Sequence, residues 1–107
     1  MKKSLTREKI EELLRQEMPR LQKAYGVRRL AVYGSFAKGK QTEKSDVDLL
    51  VELERPLGFE FISLANELEE LLGRKVDLVT LETMHRNQSN PRYRRMIQEI
   101  QRTLAYV

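Results

Sequence analysis

Residues 34–51 read GSFAKGKQTEKSDVDLLV and hold the features that decide the fold. Gly34 and Ser35 follow a short apolar stretch, which predicts a strand that stops at a tight turn and leads into a short helix. Ten residues separate this pair from Asp46. Asp46 and Asp48 stand two apart at the start of another apolar run, so a strand there directs both carboxylates to one face. The segment therefore predicts a strand, a helical turn, a loop and a second strand.

Helices and further strands are predicted along the chain from the spacing of its apolar residues. After the N-cap residue Thr6, apolar residues at helical spacing predict a first helix. Pro19 is expected to kink or split that helix because proline lacks an N–H. Short apolar segments predict three strands, over residues 29–33, 47–53 and 75–81. Two more stripes predict helices, over residues 59–72 and about 90–105. This order indicates an α+β or α/β fold with a sheet of three or four strands, in a single domain spanning residues 1–107.

Three residue types in this pattern point to phosphate and metal chemistry. Glycine at residue 34 lets the backbone approach a ligand, and free N–H groups at a helix start attract phosphate, with the Ser35 hydroxyl as a further donor. Asp46 and Asp48 supply the hard oxygen ligands that Mg²⁺ or Mn²⁺ prefers, and such ions commonly join carboxylates to substrate phosphates. Asp77, on the third predicted strand, either holds a second metal ion or takes a proton from an acceptor hydroxyl. Its spacing alone does not place it beside the other two.

The bulk composition excludes several classes of protein. There is no cysteine, which excludes disulfides, thiolate metal sites and cysteine nucleophiles. No apolar run approaches the roughly 20 residues of a membrane span, and the N-terminus lacks the apolar part of a signal peptide, so we expect a cytoplasmic protein. The net charge of +4 lies in residues 83–107. Because the rest of the chain is balanced, direct nucleic-acid binding is disfavoured, and the basic end suits an acidic partner or a phosphate group.

The Gly34-Ser35 pair, ten residues, and then Asp46-Val47-Asp48 resemble the signature of the DNA polymerase β-like nucleotidyltransferase superfamily. The small size and the segment around Asp77 look like its minimal nucleotidyltransferases (MNT), often the antitoxins of HEPN–MNT toxin–antitoxin pairs. The resemblance implies a small mixed sheet flanked by helices, with ATP and Mg²⁺ at the Gly-Ser turn. It implies Asp46 and Asp48 as metal ligands and Asp77 as the third catalytic carboxylate. It also implies transfer of AMP from ATP onto a tyrosine hydroxyl of a HEPN ribonuclease toxin.

Two other functions remain compatible with the same residues. A binding antitoxin neutralises its toxin by occlusion, without catalysis, and uses the basic C-terminal end as the contact. Nucleotidyl transfer to a small molecule is disfavoured because the chain has no further domain to bind such an acceptor. The intact set of Asp46, Asp48 and Asp77 favours catalysis, since a pure binder need not keep all three. The apolar stripe Tyr93–Leu104 is left open between core packing and a partner or dimer surface.

Overall fold

The structure is a computed structural model that describes residues 5–107. Along these residues the elements follow in the order α1 (Arg7–Tyr25), β1 (Val27–Tyr33), α2 (Ser35–Lys38), β2 (Val47–Leu53), α3 (Glu60–Leu72), β3 (Val76–Thr80), α4 (Leu81–Arg86), a 3₁₀ turn (Pro91–Tyr93), α5 (Arg94–Thr103) and β4 (Ala105–Tyr106). The predicted α+β class is confirmed, and β2 has the bounds that the sequence predicts.

The strands form one mixed sheet in the order β3-β2-β1-β4. β1 is antiparallel to both β2 and β4, whereas β2 and β3 are parallel and are connected through α3. The β2–β3 register sets Asp77 opposite Asp48, and the β1–β2 register sets Tyr33 opposite Asp48. The sheet therefore aligns three polar side chains on neighbouring strands. None of the helices within residues 5–107 combines the length and apolar character needed to cross a membrane.

Helix α1 begins and ends at the residues that the sequence indicates. The Lys9 amide donates to Thr6 Oγ1 over 3.2 Å, and the helix ends at Gly26, which adopts the left-handed conformation with φ of 71°. Pro19 lies inside this continuous helix, so the predicted split is wrong. Leu14 and Leu21 are buried on either side of the proline. Their packing holds the helix together across the one missing hydrogen bond.

Helices cover both faces of the sheet and divide the core in two. One cluster of buried side chains joins α1, α2 and α3 to the sheet, and its largest members are Phe36, Ile10, Leu14, Leu21, Leu30, Leu49, Leu64 and Leu68. The second cluster lies on the other face, where α4 and α5 pack on β1 and β2 through Ala31, Tyr33, Leu50, Met84, Ile97 and Ile100. Because Ile97 and Ile100 are buried, the C-terminal stripe is core rather than a free partner surface.

Two short elements were not predicted, and one predicted helix has different bounds. α4 begins at Leu81, which was predicted to end the third strand, and continues through residues for which no element was predicted. Thr80 caps α4 by accepting a hydrogen bond from the Thr83 amide at 3.0 Å, and Met84 is buried. The C-terminal helix, predicted over about residues 90–105, starts as a 3₁₀ turn and ends at Thr103. The chain then turns back as β4 along the free edge of β1. The 3₁₀ turn before α5 and the pairing of β4 with β1 after it hold α5 against the sheet.

Candidate active site

A cleft of about 700 Å³ opens beside the first residues of β2 and β3, under helix α5. Asp48 and Asp77, each the second residue of its strand, enter it side by side because the two strands are parallel and in register. The complete lining is Tyr33, Asp48, Asp77, Arg92, Arg95, Met96, Gln98, Glu99 and Arg102. Parallel pairing thus brings together the two carboxylates whose proximity the sequence spacing left undetermined.

The carboxyl group of Asp48 is held in an environment that disfavours its charge. Its pKa is raised to about 6, first by burial and then by the negative charges of Asp77, Asp46 and Glu99, in that order. A carboxylate in this state gains most from a cation, because a cation offsets both the burial and the repulsion. Such perturbed groups in a cleft are typical of catalytic and metal-binding positions.

Gly34 is required at its position by both conformation and space. Its φ of 73° and ψ of −147° are accessible to glycine and costly for other residues. A Cβ added at Gly34 would overlap Oδ2 of Asp48. The glycine therefore lets the turn pack directly against the carboxylate. This contact places the Gly-Ser turn directly against the Asp48 side chain.

The C-terminal helix already engages part of the Gly-Ser turn. The Gly34 amide donates to Thr103 Oγ1 over 2.8 Å, and that hydroxyl donates to the Glu99 carbonyl over 2.6 Å. Lys38, at the end of α2, forms an ion pair with Glu99. Ser35 is partly exposed, and its hydroxyl has no hydrogen bond within residues 5–107. Of the two predicted phosphate donors, the Ser35 hydroxyl is thus the one left available.

Asp46 does not line the cleft that contains the other two carboxylates. It is exposed, precedes β2 by one residue, and is absent from the cleft lining, although its charge reaches Asp48. In the described part of the chain, no group of three or more histidine or acidic side chains is spaced to hold a metal ion. The Asp48–Asp77 pair nevertheless fits Mg²⁺ or Mn²⁺, because these hard ions usually bind one or two carboxylates and complete their shell with water and phosphate oxygens.

Sequence reasoning missed several residues of the cleft. Tyr33 is buried there, and burial, then the charges of Asp48 and Asp77, raise the pKa of its phenol. Its signal was its place directly before Gly34 and opposite the second aspartate. The remaining additions come from the end of the chain, at Arg92, Arg95, Glu99 and Arg102. These four residues stand three, four and three positions apart, which is the spacing of one helix face. This charged face is visible in the sequence beside the apolar stripe Tyr93–Leu104.

Comparison with known proteins identifies the family. The nucleotidyltransferase domain family matches residues 8–103. Protein adenylyltransferase MntA from Thermococcus cleftensis is 46% identical over 76 residues, which cover 70% of this chain and 77% of that protein.

Solved structures agree with this match in their fold. One, described provisionally as a minimal nucleotidyltransferase, is 28% identical with a TM-score of 0.68, covering 97% of this chain and 98% of its own. A crystal structure of a toxin–antitoxin with AMP-PNP is 25% identical with a TM-score of 0.61, covering 95% of this chain and 72% of its own. The predicted resemblance is confirmed: the chain belongs to the nucleotidyltransferase domain family and is a nucleotidyltransferase by fold and sequence.

Proposed function

We propose that this nucleotidyltransferase is an antitoxin that transfers AMP from ATP onto a tyrosine hydroxyl of a HEPN-type ribonuclease. The observation that carries the proposal is the pairing of Asp48 with Asp77 directly beside Gly34, in a cleft open to a substrate. The similarity to a protein adenylyltransferase and to a toxin–antitoxin crystallised with AMP-PNP supports the choice of ATP and of a protein acceptor. Because the reaction consumes ATP, we place it in the cytoplasm.

Each site residue has a defined task in this reaction. Asp46 and Asp48 hold Mg²⁺, with Mn²⁺ as an alternative, and Asp77 completes the acidic set. When bound, the ion neutralises phosphate charge on the attacking and leaving sides of the transfer. The Ser35 hydroxyl donates to the phosphates at the turn, and Gly34 lets the backbone come close to them. A cation held by Asp48 would also offset the burial and repulsion that raise the pKa of this carboxyl.

The transfer itself exchanges one phosphorus–oxygen bond for another. The tyrosine oxygen bonds to the α-phosphorus while the bond from that phosphorus to the bridging oxygen of the β-phosphate breaks. The hydroxyl proton moves to Asp77, which is exposed and therefore accessible to an incoming acceptor. Pyrophosphate leaves, and the products are the adenylylated tyrosine and the protonated carboxyl group.

The alternative is neutralisation by occlusion alone. A purely occluding protein gains nothing from a half-buried carboxyl beside a second one, since that arrangement destabilises the fold. The presence of the Asp48–Asp77 pair therefore favours catalysis over occlusion. Transfer to a small molecule remains the weaker option, because the similar proteins are named protein adenylyltransferases.

Intact mass spectrometry of the acceptor tests the proposal. A HEPN-family ribonuclease from the same genome is incubated with the chain, ATP and Mg²⁺, alongside the variant Asp46→Asn/Asp48→Asn. We expect mass increments of whole AMP units with the unsubstituted chain and none with the variant. A stable complex without any increment would instead support occlusion, and an increment with the variant would refute the assigned carboxylates.

A further inference from the structure

The end of the chain directs a row of basic side chains into the carboxylate cleft. Arg92, Arg95 and Arg102 all line it. Their spacing follows the helical period, so they share one side of the 3₁₀ turn and α5. Arg94, one position from Arg95, is exposed and does not line the cleft. Three of the five arginines in residues 83–107 thus line the cleft that contains Asp48 and Asp77.

These guanidinium groups have no acidic partner in the described part of the chain. The salt bridges formed within residues 5–107 involve none of Arg92, Arg95 and Arg102. Glu99, the acid nearest to them on α5, pairs with Lys38, and the hydrogen bond from Lys38 is the main cause that lowers the Glu99 pKa. The three arginines are therefore available to bind an anion.

The Gly-Ser turn alone supplies little positive potential for such an anion. The Gly34 amide is engaged by Thr103, and α2 has only four residues. Nucleotidyl transfer builds up negative charge on the departing phosphates, and enzymes meet that charge with arginine, lysine or metal cations. In this cleft, the cations that face Asp48 and Asp77 are those of the arginine row.

We infer that Arg95 and Arg102, with Arg92 in the same row, bind the β- and γ-phosphates of the nucleotide. The inference rests on the proposed function. The planar guanidinium donates two parallel hydrogen bonds to phosphate oxygens, which a point charge such as lysine does not. When the bond to the α-phosphorus breaks, the same contacts stabilise the leaving pyrophosphate. Helix α5 is then part of the active site, and it selects a triphosphate over a monophosphate.

Binding measurements on single variants test this role. Titration calorimetry with the full chain and Mg²⁺ compares a non-hydrolysable ATP analogue with AMP, which lacks the two outer phosphates. We expect Arg95→Ala and Arg102→Ala each to weaken analogue binding about tenfold or more and to leave AMP binding unchanged. Arg94→Ala removes the same charge from the same helix outside the cleft and is expected to alter neither affinity.

Three results would overturn the inference. An equal loss of AMP and analogue affinity would indicate general damage to the cleft. Unchanged analogue affinity with weaker binding of the HEPN partner would assign the arginines to the acceptor. If the unsubstituted chain bound no nucleotide, the proposed function would fail and the inference with it. Circular dichroism checks the fold, which we expect the variants to keep because Ile97 and Ile100 anchor α5.

Discussion

At the scale of single residues, Gly34 joins the turn to the catalytic pair. Replacing it with alanine strains a backbone with φ of 73° and drives the new Cβ into Asp48. We expect Gly34→Ala to lower the free energy of unfolding by about 1–3 kcal/mol and to abolish transfer. The control is Gly39→Ala, which has φ of 71° but no atom within 4 Å of the added Cβ. Urea denaturation measures the backbone strain in both variants, and the transfer assay measures the added effect of displacing Asp48. An equal loss of transfer in both variants would contradict the role of the Gly34–Asp48 contact.

Asp48 is expected to cost the folded chain stability in the absence of metal. Its folded-state pKa of about 6 lies above the ordinary value of 3.8 for this carboxyl, so the folded state binds its proton more tightly than the unfolded state does. The destabilisation is absent below pH 4, grows as the pH rises to about 6, and is complete above it. At pH 8 in chelator we expect Asp48→Asn to raise the free energy of unfolding by on the order of 2 kcal/mol, after allowance for partial exposure.

Urea denaturation across pH 4–8 checks this expectation for Asp48. The stabilisation of Asp48→Asn is expected to shrink toward zero at the acid end, because the native carboxyl is then protonated as well. Asp46→Asn is the matched control, since Asp46 is exposed and lies outside the cleft. A pH-independent gain, or an equal gain in both variants, would show that repulsion and burial at Asp48 are not the cause.

At the scale of elements, α1 contains an unfavourable residue that its packing tolerates. Pro19 is exposed and lies within the helix, where proline costs about 3 kcal/mol relative to alanine. We expect Pro19→Ala to raise the free energy of unfolding by about 1–3 kcal/mol without changing transfer. Gln16→Ala, also exposed on α1, is expected to change it by less than about 0.5 kcal/mol. Thermal unfolding of both variants measures these changes in stability. If Pro19→Ala is no more stable than the unsubstituted chain, the helix is already bent to suit the proline.

Elements with a strong local pattern were predictable, and those without one were not. β2 has an apolar residue at every second position along its length, with Asp48, Leu50 and Glu52 between them, and α3 ends at a left-handed glycine, Gly73. β4 has two residues and exists through its pairing with Ala31 and Val32. α4 has six residues, too few for a clear period, and depends on the cap at Thr80. β4 is therefore a product of a tertiary contact, and the single cap of α4 is too weak a local signal to predict a helix.

At the scale of the whole molecule, the site required information that the sequence does not carry locally. Gly34-Ser35 and Asp46-Val47-Asp48 were found from one continuous segment. The position of Asp77 depends on the parallel register that β3 takes after α3, and spacing along the chain does not fix such a register. The arginine row depends on α5 returning across the sheet. Apart from Tyr33, which directly precedes Gly34, the residues that the sequence missed are those that α5 and the turn before it bring to the cleft.

Nucleotide binding at this cleft ties together β1, β2, β3 and α5, so it is expected to stabilise the whole fold. A ligand at about 100 times its dissociation constant adds about 2.7 kcal/mol to the free energy of unfolding, which raises Tm by on the order of 10 °C for a chain of this size. We expect this shift with a non-hydrolysable ATP analogue and Mg²⁺ in differential scanning fluorimetry. Chelator, or the double variant Asp48→Asn/Asp77→Asn, is expected to remove most of it. A full shift in the double variant would mean that the nucleotide binds away from the carboxylate pair, and the proposed chemistry would lose its site.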